Sequence, residues 1–124
     1  MSSNLFNIQG YKLFRSDRLS HAGGVAIYVR SNISVKFISK SPVNNLIEYL
    51  FLELSSGASK LLLGSVYRPY RSVDISEFIE YLHDISLGFN NIIIVDDFNS
   101  NRFEEYYLSS NMSLKGFYYF FNIT

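Results

Sequence analysis

The order of elements written into this chain predicts a layered α/β or α+β fold. Three observations carry that reading. Residues 11–67 hold successive runs of β-forming residues broken by turn signals; residues 74–87 switch to helical spacing; and Asn91–Val95 is a short, unbroken apolar run. Several strands, one helix and then a buried strand argue for helix packed on sheet rather than for a pure β sandwich.

Each element has its own warrant. Tyr11–Phe14 is a short strand candidate, and Ser16–Gly24 is a polar loop closed by Gly23-Gly24, where glycine relieves steric limits on the backbone. Val25–Arg30 is rich in β-formers, and Ser31-Asn32 turns the chain into a second strand, Ile33–Ile38. Ser39–Asn45, with Pro42, is a connection; Glu48–Leu54 is the next strand; Ser55–Ser59, around Gly57, is a hairpin-type turn; Lys60–Tyr67 is a long apolar strand. In Asp74–Leu87, residues Ile75, Phe78, Ile79, Leu82 and Ile85 share one helical face. Asp74 is placed to cap the first turn, with Glu77 at the capping-box position and Gly88 as the stop. The unbroken run of Asn91–Val95 predicts a strand covered on both faces and central in its sheet. In the tail, Glu104–Leu108 is a helical candidate, and Phe117–Phe121 is apolar and β-prone.

Composition narrows the class. The chain has 124 residues, one domain's worth, and at 48% hydrophobic and 18% charged it is not a disordered composition. It lacks cysteine, which excludes disulfides and thiolate metal sites, and its two histidines, His21 and His83, are read as surface residues too few for an all-protein zinc site. The opening residues carry no secretory pattern and no apolar run approaches a membrane span, so the expectation is a soluble intracellular protein with its three Asn-x-Ser/Thr sequons unmodified. The net charge of zero hides an asymmetry. Nine Lys/Arg stand against three acids in residues 1–71, and two against eight in residues 72–124. A basic half can attract phosphate, although an ordinary solvated surface accounts for the same numbers.

Two strand ends carry the candidate chemistry. Asp97 and Asn99 follow the run at 91–95, and an acid with an amide suits phosphodiester hydrolysis: the carboxylate takes or orients a proton of the attacking water, and the amide donates to an oxygen. Taken bare, Asp-x-Asn is also an ordinary turn start. Val66–Tyr70 ends the preceding strand, with Tyr67 a hydroxyl donor, Arg68 a fixed cation and Pro69 the breaker; a strand end with a snorkelling Arg reads the same way.

Three blocks together resemble the endonuclease/exonuclease/phosphatase superfamily, most closely the endonuclease domain of non-LTR retrotransposons: GYKLFRSDRLSHAGGVAIYVR (residues 10–30), EYLFLELSSGASKLLLGSVYRPY (48–70) and NIIIVDDFNSN (91–101). The resemblance spans residues 8–101 and leaves 102–124 unassigned, so residues 1–124 read as a single partial domain. It implies a partial four-layer αββα sandwich of the DNase I-like type. It also implies that Asp97 positions or deprotonates water, Asn99 holds acid and phosphate, and Tyr67 contacts the scissile phosphate. Arg68 and Arg18 are then substrate contacts, with Arg15 and Arg30 on the same basic side. Magnesium is the implied cofactor, DNA the partner, a reverse transcriptase domain a neighbour in the parent polyprotein, and the nucleus the site of action of an active element.

The sequence also departs from that family. Nothing before Gly10 supplies the family's Asn and metal-binding Glu, and no Asp-His block follows Asn101. Asp96 stands where the family has glycine, and a second carboxylate beside Asp97 would repel phosphate and raise the pKa of one acid of the pair. Tyr70 replaces a second proline. The expectation is a piece of a metal-dependent phosphodiesterase, inactive as an isolated chain. The alternatives are a non-catalytic mobile-element remnant with weak nucleic-acid binding and a phosphoinositide-phosphatase-like member of the superfamily. The YRP block and the R-x-D-R loop favour the retrotransposon branch.

Overall fold

The computed structural model describes residues 6–17, 24–43, 45–68, 74–97 and 117–122, with Asp97 and 117–122 described by their backbone. Among the described residues seven strands and one helix follow in order: β1 (Tyr11–Asp17), β2 (Gly24–Arg30), β3 (Ser34–Lys40), β4 (Glu48–Ser56), β5 (Ser59–Tyr67), α1 (Ser76–Ser86), β6 (Asn91–Asp97) and β7 (Phe117–Asn122). β1 and β2 form a two-stranded antiparallel sheet. The others form a five-stranded mixed sheet in the order β3-β4-β5-β6-β7. Its first two pairings are antiparallel and its last two parallel. A helical crossover therefore joins β5 to β6, as parallel neighbours require.

The strands run somewhat longer than propensity suggests. β1 continues through Asp17, into residues that read as loop. The predicted relief by glycine is visible at Gly24, where φ is +133° and an added Cβ would run into the Ser16 carbonyl oxygen. The β4–β5 turn is tighter than expected: Ser56 pairs with Ser59, leaving a two-residue loop with Gly57 at φ +61°, the positive φ that such hairpins need. α1 begins later than predicted, with Ile75 as its N-cap. Asp74 still serves the entry, because its Oδ1 accepts from the Ser76 backbone N–H at 2.9 Å and from the Ser76 hydroxyl at 2.6 Å. The apolar tail does form a strand, β7. The helical reading of Glu104–Leu108 lies outside the described residues.

Alternation along the strands divides the core. On one face of the large sheet, Phe51, Leu62, Val66, Ile92 and Ile94 pack under Phe78, Ile79 and Leu82 of α1. Tyr49, Phe51, Phe78 and Tyr81 form an aromatic group with ring centroids 5.2–6.3 Å apart. Gly64 makes room for it, since a Cβ there would strike the Phe51 ring and lie 3.0 Å from Ile94 Cδ1. On the other face, Leu50 and Leu52 pack against Val25 and Val29 of β2. The two sheets are also linked by Ser16 and Ser41, both buried, whose hydroxyls lie 3.3 Å apart. The described residues thus build three layers: helix, large sheet, small sheet.

β6 is central, as predicted, lying between β5 and β7. Its cover is uneven, however. Ile92, Ile94 and Asp96 are buried on the helix side, whereas Ile93 and Val95 are half-buried. An unbroken apolar run hides this alternation because both faces tolerate apolar residues. His83, expected at the surface, is half-buried as well. It lies four residues after Ile79 and borders the apolar stripe; its Nδ1 is buried without a hydrogen-bond partner among the described residues, and its carbonyl accepts from Ser86 Oγ at 2.8 Å.

Candidate functional site at the strand ends

β5 and β6 are parallel, so their C-terminal ends meet at one edge of the sheet. Tyr67 is the last residue of β5 and Asp97 the last of β6, and the two are register partners. That puts their Cα atoms about 4.8 Å apart, one strand spacing. α1 starts from the same edge, because a crossover helix runs back against its strands. Strand ends of this kind are where layered α/β proteins place their chemistry.

Tyr67 is half-buried and packs on the inter-sheet core beside Leu50 and Leu52. That packing holds the ring against the inter-sheet core. Arg68, the next residue, takes the other side by alternation. It is half-buried, and its positive charge is felt by Asp74 at the start of α1. The Asp74 carboxyl is held below the usual aspartate range, first by the hydrogen bond from the Ser76 hydroxyl, then by the Ser76 backbone N–H, with Arg68 adding to both. The charge of Arg68 thus reaches the helix entry.

The same alternation corrects the expectation for Asp96. It is 2% exposed, is the register partner of Val66, and shares the helix-side face with Ile92 and Ile94. Its carboxylate is directed away from the face that Tyr67 occupies. The anticipated repulsion of a phosphate beside Tyr67 is therefore weakened by position, and Asp96 has an interaction partner where it lies.

The structure adds one residue that the sequence reading passed over. Glu48, the first residue of β4, is the register partner of Tyr67 on its other side. Glu48, Tyr67 and Asp97 make a row across three adjacent strands at one edge. Glu48 is half-buried and shares its face with Leu50 and Leu52. It opens the second sequence block without being singled out there, and the pairing of β4 with β5, set by the two-residue turn at Gly57-Ala58, brings it beside Tyr67.

Among the described residues, Arg15 and Arg30 belong to the small sheet and not to the strand-end row. Arg15 lies on β1, where its Nη2 is 2.5 Å from Asp17 Oδ2 and its guanidinium stacks 4.9 Å from the Phe6 ring centroid. Arg30 ends β2 and is exposed. Asn99 and Arg18 lie outside the described residues, as does His21. Among the described residues no three of His, Asp or Glu gather as a metal site, and no helix is long and apolar enough to cross a membrane.

The fold is similar to that of the human Nocturnin catalytic domain, solved with a bound sulfate anion, at a TM-score of 0.56 and 19% sequence identity. The likeness covers 86% of this chain and 49% of that one, so the chain spans about half the length of the structure it matches. At this identity the likeness establishes the fold alone: mixed sheets with a helix, in an α/β sandwich of the DNase I-like type. The sequence matches no family model and no curated protein.

Proposed function

We propose that this chain carries one side of a phosphodiesterase active site, of the kind found in DNA endonuclease domains of non-LTR retrotransposons, and that alone it holds a phosphodiester without cleaving it. The observation that carries the reading is the pairing of Tyr67 with Asp97 at adjacent parallel strand ends. Tyr67 donates its hydroxyl to a non-bridging phosphate oxygen. Asp97 takes a proton from water as the water oxygen bonds to phosphorus. The opposite phosphorus–oxygen bond breaks, and the departing oxygen takes a proton from solvent. Asn99, two residues on, donates to the phosphate or holds the acid in place. Arg68 steadies the strand end and adds positive field. The likeness to a DNase I-like catalytic domain and the three ordered sequence blocks support this reading.

The magnesium that the sequence resemblance implies has no ligand set among the described residues. No step is routed through it. The family's metal-binding Glu and its Asp-His block are also missing from the sequence, and removing several members of a catalytic unit abolishes most of its rate. The isolated chain is therefore inactive. DNA is the proposed substrate, and a longer parent polypeptide is the proposed nuclease.

Supercoiled plasmid incubated with magnesium tests both parts. The expected result is nicking by the parent polypeptide and none by the 124-residue chain. Magnesium-dependent nicking by the chain alone, lost in Asp97→Ala, would overturn its inactivity. A parent that never nicks would sink the phosphodiesterase reading.

A further inference from the structure

Glu48 is held more firmly than the first residue of a strand needs to be. Its neighbours Ile47 and Tyr49 both pack into the helix-side core. Alternation therefore turns Glu48 onto the opposite face, beside its register partner Tyr67. The backbone on both sides of it is tied down. Asn45 Nδ2 donates to the Ile47 carbonyl at 2.7 Å, and the Tyr49 N–H donates to Ser41 Oγ at 3.1 Å. The Ser41 N–H donates in turn to the Tyr49 carbonyl at 2.9 Å. A directly opposed cross-strand pair holds its Cβ atoms about 4.5–5.5 Å apart. Asp97 stands one strand away on the other side of Tyr67. A phosphate held by the Tyr67 hydroxyl is therefore flanked by a strand-end acid on each side.

We infer that Glu48 is a specificity-determining residue of this site, whose fixed negative charge disfavours phosphomonoesters relative to phosphodiesters. The inference rests on the phosphodiesterase reading and names the group that sets its substrate class. At neutral pH a diester carries one negative charge and a monoester close to two. Repulsion by a fixed charge scales with the charge it meets, so Glu48 penalises the monoester about twice as much in free energy. Glu48 is half-buried beside the fully buried Leu50, so water and salt screen that repulsion less than on an open surface. Arg68 works in the other direction. Its positive field, part of which falls on Asp74, draws in both ligands and the dianion more strongly. Glu48 opposes that bias. It takes part in a further interaction, and the inference requires its charge, not a vacant carboxylate.

Displacement of a labelled oligo(dT), followed by fluorescence anisotropy with EDTA present, tests this on the intact chain. The competitors are the dinucleotide TpT, a diester, and thymidine monophosphate, a monoester. Glu48→Gln is expected to tighten TpT about threefold and thymidine monophosphate by the square of that, about tenfold. Glu48→Asp keeps the charge and is expected to keep the parent's ratio of the two affinities. Circular dichroism confirms that each variant folds. Equal changes for both competitors in Glu48→Gln, or weaker binding of either, overturn the inference. So does a ratio that moves as far in Glu48→Asp as in Glu48→Gln. Tyr67→Phe separates the two readings. If it weakens both competitors while Glu48→Gln leaves their ratio alone, the strand-end site stands and only the role of Glu48 fails. If neither competitor displaces the oligonucleotide, or Tyr67→Phe changes nothing, the phosphodiesterase reading falls and the inference with it.

Discussion

The two faces of the large sheet differ in what holds them. The helix side is thick with large rings and branched chains, and Phe51, Leu62, Leu82, Ile92 and Ile94 are completely buried there. The side toward β1–β2 has a thinner core, with Leu50 and Leu52 fully buried and Phe14, Ile27, Val35, Leu54 and Tyr67 only partly so. The residues proposed for chemistry follow this division. Tyr67 and Glu48 lie on the thin side, where a ligand at the sheet edge can reach them. Asp96 takes the thick side, where it is buried. Stability and reactivity are thus separated by a single residue step along each strand.

The largest break in this comparison is expected from Phe51→Ala, which empties the middle of the aromatic group. It should cost about 3–5 kcal/mol in urea unfolding and threaten the fold as a whole. Tyr67→Phe removes only a hydroxyl on the thin side and should leave the urea midpoint nearly unchanged. Equal losses from the two would erase the distinction between the faces.

The neighbouring acids sharpen it. Asp96→Ala strands a buried interaction and should cost about 1–3 kcal/mol while leaving oligonucleotide affinity intact. Asp97→Ala should do the reverse, leaving the urea midpoint in place and changing affinity at the strand-end site. Both are read from urea titrations and anisotropy on the same samples. An Asp96 variant that alters affinity as much as the Asp97 variant would place both carboxylates on the ligand side.

The smallest expected effect is at the helix entry. The Asp74 pKa is depressed by its bonds to Ser76, so its contribution is fully present above the ordinary aspartate pKa. It is lost as pH falls through the lower folded value. Asp74→Asn keeps the acceptor and removes the titration. Its stability should therefore decline less steeply than the parent's on the acid side, in a pH series of thermal melts. Identical acid limbs would mean that the Ser76 bonds do not favour the charged form.

Much of this was legible in the sequence. The period change at residues 74–87, the glycine at 57 and the apolar run at 91–95 each encode local structure, and the elements formed where those signals lay. The sandwich class followed from their order together with the resemblance. Tyr67 and Asp97 were marked by strand-end chemistry, and their pairing brings them side by side. Glu48 was not legible, because its place depends on a non-local register. The burial of Asp96 was equally hidden, since a DD pair carries no mark of which member faces the helix. The metal expectation came from resemblance and finds no ligand set among the described residues.

That DD pair has a consequence for strand docking. Were β6 to slip by one residue toward its C-terminus against β5, an acid would still stand beside Tyr67, but it would be Asp96. Local chemistry at the edge would scarcely register the error. What forbids it lies deeper. The slip would put Asn91 beside Leu62 in place of Ile92, while Ile93 and Val95 took the places of Ile94 and Asp96, so it forfeits the burial of one isoleucine, on the order of 1.5–3 kcal/mol. The choice of acid is thus made at the far end of the strand, by one hydrocarbon side chain, Ile92, whose branched bulk acts as the proofreader of the site.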